Sequence, residues 1–142
     1  MPVLQIVMDT NVFVAALRSP RGASYRVLEL LGSGYFDIHI SVPLILEYES
    51  AALRHLDELP ITGNDVADVL DFVCKVGVPH EIYYTWRPFL NDPQDDMVLE
   101  VAVASASHAI VTFNKHDFRG CEHFGLRLLT PAELLQEIGA LK

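Results

Sequence analysis

The chain opens on an apolar run, PVLQIVMD, that ends in the polar cluster Asp9, Thr10 and Asn11, the pattern of a buried parallel strand running into a strand-to-helix turn. NVFVAALR reads as the helix that follows. After a break at SPRG, ASYRVLELL repeats its apolar positions at helical spacing through Tyr25, Leu28 and Leu31, and Gly32 and Gly34 end it. FDIHI is a brief alternating strand. From Ser41, a suitable cap, Leu44, Tyr48, Ala51 and Ala52 recur on one helical face as far as about Leu56. Pro60 and Gly63 separate this segment from a helix over residues 64–76, where Val66, Val69, Leu70 and Val73 share one side and acids lie between them. HEIYY is the next candidate strand. Beyond the loop TWRPFLNDPQ, the stretch DDMVLEVAVASAS is nearly all small or apolar after its first two residues, as befits a helix pressed on a sheet. AIVTF follows as a strand. RLLTPAELLQEI closes the pattern with a short strand and a helix entered through Thr130 as cap, Pro131 at the first position and Glu133 as the returning acid.

Short buried strands alternating with helices predict a three-layer α/β/α sandwich around a mostly parallel sheet, with ligands at the carboxyl ends of the strands. No repeat or long linker interrupts the alternation, and 142 residues at 51% hydrophobic composition suit a single domain over residues 1–142. The two cysteines, Cys74 and Cys121, fall in no CxxC or Cys/His pattern and read as thiols of a reducing cytosol. The N-terminus lacks the basic region and cleavage site of a signal peptide, and no segment approaches the roughly eighteen unbroken apolar residues of a membrane span. The expectation is a soluble, cytoplasmic protein.

Net charge changes the picture, because −9 argues against a polyanionic partner, which a basic surface normally meets. Placement restores the possibility. Arg18, Arg21 and Arg26 follow one cluster of interest and Lys115, His116 and Arg119 follow another, so Arg18, Arg21, Lys115, His116 and Arg119 are the candidate contacts for RNA.

The candidate chemistry lies in acids near the predicted strand ends and helix starts: Asp9 after the first strand, Asp95 and Asp96 at the start of a helix, and Asp117 after AIVTF, with Glu47 inside a helix. Carboxylates gathered at one sheet edge suit Mg²⁺ or Mn²⁺, since hard divalent ions take oxygen ligands, and no His/Cys set favours zinc. Plainer roles exist for each acid. Asp9 also fits a helix cap, Asp92 with Asp95 fits a cap and its returning acid, Glu47 fits a solvated helix position, and Asp117 fits a turn beside Gly120. Asp96 alone is left without a structural role. The six histidines show no repeated ligand spacing and read as surface or satisfied residues, with His116 beside a candidate site.

Four blocks, IVMDTNVFVAAL, SVPLILEYESAAL, DPQDDMVLEVAVASASHAIVTFNKHDF and LLTPAELL, resemble PIN-domain nucleases, in particular the toxin components of bacterial and archaeal toxin–antitoxin pairs. They span nearly the whole chain in family order. DTN after a first strand is a weak motif alone, and the spaced block ending in VTFNKHDF makes the match specific. The resemblance implies Asp9 as first metal ligand, Glu47 as second acid and Asp96 as third, with Asp95 its close competitor. The fourth acid of many relatives falls at position 114, which is Asn114 here, so Asn114 and Asp117 share that role or a second metal position is weak. Asn11 and Thr112 are implied as hydrogen-bonding supports. Homodimers and a small antitoxin partner are implied as well.

Such a site implies metal-dependent hydrolysis of RNA, in which a cation on Asp9 and Asp96 neutralises phosphate oxygens and acidifies a water, leaving by resemblance a 5′-phosphate and a 3′-hydroxyl. No GxxxxGK or GxGxxG is present, and hydrolysis needs none. Rival readings remain. A haloacid-dehalogenase-like phosphohydrolase also places an Asp after its first strand, but its usual second Asp is Asn11 here. A receiver domain arranges its acids differently. A degenerate domain that binds RNA or protein without cutting stays open because of Asn114.

Overall fold

In the computed structural model of the chain, the residues described are 3–82, 90 and 92–140. Five strands, β1 (Leu4–Met8), β2 (Phe36–Ile40), β3 (Val78–Pro79), β4 (Ala109–Val111) and β5 (Arg127–Leu129), form one sheet in the order β3-β2-β1-β4-β5. Every pairing is parallel. Parallel neighbours need crossovers, which α1 (Thr10–Arg18), α2 (Ala23–Glu29), α3 (Val42–Arg54), α4 (Gly63–Val76) and α5 (Pro93–Ala104) supply as far as β4; two 3₁₀ turns lead from β4 to β5, and α6 (Pro131–Glu137) follows β5. The result is the α/β/α sandwich expected from the alternation, with its sheet wholly rather than mostly parallel among the described residues.

Register places the working edge of the sheet. Met8 is paired with Val111 and Val111 with Leu129, so β1, β4 and β5 end on one line. The next residue of each is polar: Asp9, Thr112 and Thr130. Asp9 and Thr130 cap α1 and α6, and Ser41, after β2, caps α3 by accepting from the Leu44 amide at 3.2 Å. Thr112 begins no helix, which leaves its hydroxyl available to the site.

The core explains why α3 and β1 keep a fixed relation. Ile6, Val7, Met8, Phe13, Tyr48, Val98, Leu99 and Ile110 are fully buried. α5 lies against β1, β2 and β4, and its nearly unbroken apolar composition matches that position. Tyr48 stacks on Phe13 with ring centroids 4.9 Å apart, and its hydroxyl donates to the Met8 carbonyl. One side chain therefore ties α3 to α1 and to the carboxyl end of β1. Gly77 lets α4 finish against β2, since a Cβ there would stand 2.8 Å from the Val73 carbonyl and 2.9 Å from Ile40 Cδ1.

Several element boundaries differ from the sequence expectation. The third strand is Val78–Pro79, upstream of HEIYY; residues 80–82 are outside any strand, and 83 and 84 lie outside the described residues. Pairing with β2 decides this, because His39 is in register with Val78 and the His80 amide already turns back to the Ile40 carbonyl. α5 stops at Ala104, where Ser105, Ala106 at φ 52 and Ser107 form a turn instead of a continued helix. α2 ends at Glu29, and β4 ends at Val111 because Thr112 joins the site. α4 begins at Gly63, with Thr62 and Asp65 as a capping box that the sequence reading left unassigned. Buried His39 is satisfied by His80 and Gln5, as the reading of the histidines expected. No helix among the described residues is long and apolar enough to cross a membrane.

Tyr48→Phe keeps the stack on Phe13 but removes the donor to Met8. We expect it to lower folding stability by about 1–3 kcal/mol, read as a lower urea midpoint at unchanged slope.

Candidate active site

Asp9 sits where β1 hands over to α1, and its position is fixed from three sides. Its amide donates to the Val111 carbonyl at 2.9 Å, one carboxylate oxygen accepts from the Thr10 amide at 2.8 Å, and the other accepts from the Thr112 hydroxyl at 2.7 Å. The Thr112 hydroxyl in turn accepts from the Asn114 amide at 3.0 Å. Asp9 is thus the cap foreseen as its plain role, and its second carboxylate oxygen is held by Thr112. It is only 5% exposed.

An open cavity of about 360 Å³ lies against this edge, lined by Asp9, Asn11, Arg18, Glu47, Arg54, His55, Asp92, Asp95, Asn114 and Asp117 among others. Acids from four separate stretches therefore converge, as the sequence expectation required. Glu47 is 8% exposed, so it is not the solvated helix residue that its type alone would suggest. Tyr48 holds this turn of α3 against β1. Asp117 reaches the cavity from a single 3₁₀ turn, Lys115–Phe118, whose Phe118 is fully buried.

The two neighbouring acids of α5 divide. Asp92 caps the helix by accepting from the Gln94 amide at 2.9 Å. Asp95, one turn on, is half-buried on the cavity wall instead of serving only the helix end. Asp96 points inward at 0% exposure: Oδ1 accepts from the Leu90 amide at 2.9 Å, and Oδ2 has no hydrogen-bond partner among the described residues. Asp96, left without a structural role by the sequence, thus acquires one, and Asp95 takes the cavity-facing place.

Electrostatics follow from this crowding. Burial first, then the charges of Asp117 and Asp92, raise Asp9 from an ordinary 3.8 to about 6 against the pull of Thr112 and Thr10. Burial first, then Asp9, Asp92, Asp117 and Asp96, raises Asp95 to about 7. Both carboxyls are pushed up because negative charge is expensive here, Asp95 to near neutrality and Asp9 to below it. Two guanidinium groups offset part of it. Arg54 approaches Glu47 at 3.5 Å, and Arg18 approaches Glu58 at 3.9 Å, with Glu58 also bonded to His55 at 2.6 Å.

The donor set fits a hard divalent cation: oxygen donors in a crowded acidic cleft, and a fully buried carboxylate oxygen, Asp96 Oδ2, without a donor among the described residues. Among the described residues, no three acids, histidines or cysteines are grouped as a complete metal cage. Mg²⁺ does not demand one, since it keeps several waters and takes one or two carboxylates together with substrate phosphate.

Of the cations expected to meet RNA, only Arg18 lines the cavity. Arg21 is exposed away from it, Lys115 is paired with Glu133 at 2.6 Å, and Arg119 is bonded to His116 at 2.6 Å. Arg54 and His55 were missed. Arg54 had a legible signal, because it follows Glu47 by seven residues, two helical turns, on the same face of α3.

A folded-state pKa raised above its unfolded value contributes stability that is complete below 3.8 and lost as pH rises through about 6 for Asp9 and about 7 for Asp95. In chelator, Asp95→Asn is expected to melt higher than the parent at pH 8 and to converge with it toward pH 4. Equal melting at pH 8 would remove the crowding inferred for Asp95.

With this geometry established, comparisons with known proteins place the chain. The protein-family model described as PIN domain matches residues 5–116, most of the sequence and all of the cavity-lining acids except Asp117. No curated protein sequence matches. Among solved structures, the chain is similar to one chain of the crystal structure of VapBC2 from Rickettsia felis bound to a DNA fragment from their promoter. The TM-score is 0.61 at 17% identity, covering 88% of this chain and 98% of that one, a likeness of fold. The protein therefore belongs to the PIN domain family, whose members are typically nucleases.

Proposed function

We propose that this chain is a divalent-cation-dependent endoribonuclease and acts as the toxin of a toxin–antitoxin pair. The observation that carries the reading is the convergence of Asp9, Glu47, Asp95 and Asp117 on one cavity at the carboxyl edge of a parallel sheet, within a PIN domain. Asp9 and Asp95 would hold Mg²⁺ or Mn²⁺ from the cavity side, with Asp96 Oδ2 behind them. The cation, when bound, supplies positive charge to the phosphodiester and acidity to a coordinated water.

The chain's own residues do the rest. Thr112 fixes one oxygen of Asp9, and the Thr10 amide fixes the other, so this carboxylate would meet a cation without reorganising. Glu47 and Asp117, which line the same cavity, would orient the attacking water, directly or through the metal shell, and accept its proton. Asn114 and Asn11 line the same cavity as neutral hydrogen-bonding groups, and the Asn11 side-chain oxygen is buried without a partner among the described residues. Arg18 at the rim offers charge to the backbone of an entering strand. The toxin assignment is supported by the fold likeness to VapBC2, and by analogy a small antitoxin protein is the expected partner. We further propose a homodimer or larger homo-oligomer, which light scattering would read directly.

Mn²⁺ or Mg²⁺ is expected to raise the melting temperature and to support cleavage of single-stranded RNA over DNA of the same sequence. Asp9→Asn should abolish cleavage and weaken the metal-induced shift; an unaltered shift would remove Asp9 from the metal site. Asp96→Asn retains an oxygen for the Leu90 amide and is expected to weaken the shift as well, whereas a full response would leave Asp96 a purely structural group. Arg18→Ala should weaken RNA binding and flatten its dependence on salt, measured by titration at several ionic strengths.

A further inference from the structure

We propose that Arg54 is a phosphate-contacting residue of this active site, held on Glu47 until a cation and a nucleic-acid strand arrive. The inference rests on the nuclease reading above and deepens it. Five carboxylates, Asp9, Glu47, Asp92, Asp95 and Asp117, line the cavity among the described residues, against the guanidinium groups of Arg18 and Arg54. With those acids ionised, a single divalent cation leaves negative charge in excess, so an entering phosphodiester depends on the two arginines as well.

The two arginines are not equivalent. Arg18 is paired at 3.9 Å with Glu58, and both side chains are half-exposed, which is a rim position. Arg54 reaches inward, with Nη2 3.5 Å from Oε1 of the buried Glu47 and Nη1 donating to the Ser50 hydroxyl at 2.9 Å. Its own side chain is 52% exposed, so it retains room to move. The Glu47 contact is long for a charge-assisted hydrogen bond, and Arg54 holds that acid loosely. Any cation drawing Glu47 into its shell competes with Arg54 for the same oxygen and releases the guanidinium. The freed fork then faces the cavity with two parallel N–H donors, the geometry that matches a phosphate. Arg54 thus has one partner before substrate and another with it.

The arrangement separates Arg54 from a merely structural ion pair. Without RNA, Arg54→Ala frees Glu47 and should tighten Mn²⁺ binding severalfold in a calorimetric titration. With RNA and saturating Mn²⁺, the same variant should lose on the order of 10- to 100-fold in kcat/KM, and Arg54→Lys, which keeps the charge but not the fork, should recover only part. Melting temperatures of both variants in chelator establish that they fold. An Arg54→Ala protein that cleaves like the parent, or that binds Mn²⁺ no more tightly, overturns the assignment. A parent chain that cleaves RNA while Arg54→Ala is unaffected rejects this inference alone; a parent that cleaves nothing rejects the nuclease reading and this inference with it.

Discussion

The repulsion among carboxylates held out of water at the end of β1 governs the rest of this molecule. A pair of ionised carboxylates about 4 Å apart repels by roughly 4 kcal/mol at an effective dielectric near 20, a sizeable share of the stability of a small domain. The fold accepts this and directs it. Asp9 and Asp95 titrate well above the usual carboxylate range, Glu47 leans on Arg54, and Asp96 is turned inward to the Leu90 amide. Each is a different answer to the same excess of negative charge.

The parallel sheet makes that concentration possible. Because β1, β4 and β5 end in register, the residues that follow them emerge side by side, and helix α5 brings its first turn to the same edge. Rigid strands fix the backbone on either side of Asp9, so Thr112 can orient its carboxylate with one short hydrogen bond. The contact of Tyr48 with Met8 and Phe13 extends that rigidity to α3, and through it to Glu47 and Arg54. Core packing and active-site geometry are here the same set of contacts.

Much of the architecture was legible because hydrophobic periodicity reports burial directly. FDIHI, the Ser41 cap, the Asp92 cap and the Thr130–Glu133 box stand where the pattern placed them. The strand after α4 was misplaced because β3 is two exposed residues whose pairing with β2, not their own pattern, defines them. At the site, Asp9, Glu47 and Asp117, which their order along the chain and the family resemblance singled out, line one cavity, whereas the division between Asp95 and Asp96 was not legible. Adjacent helical residues point about 100° apart, and which of them meets the interior depends on how the segment before α5 folds back to Leu90. Arg21, Lys115 and Arg119 follow acids in sequence without sharing their cavity, while Arg54 shares it from two turns along α3.

By itself the sequence determined the alternation of strand and helix, the helix caps, and the chemical character of an oxygen-donor site, because each follows from residue type and local spacing. Only the tertiary structure decided which acids face the cavity, which one is sequestered in the core, and which arginine stands among them. Those outcomes depend on the register of distant strands and the rotation of packed helices, long-range relations that no local pattern encodes.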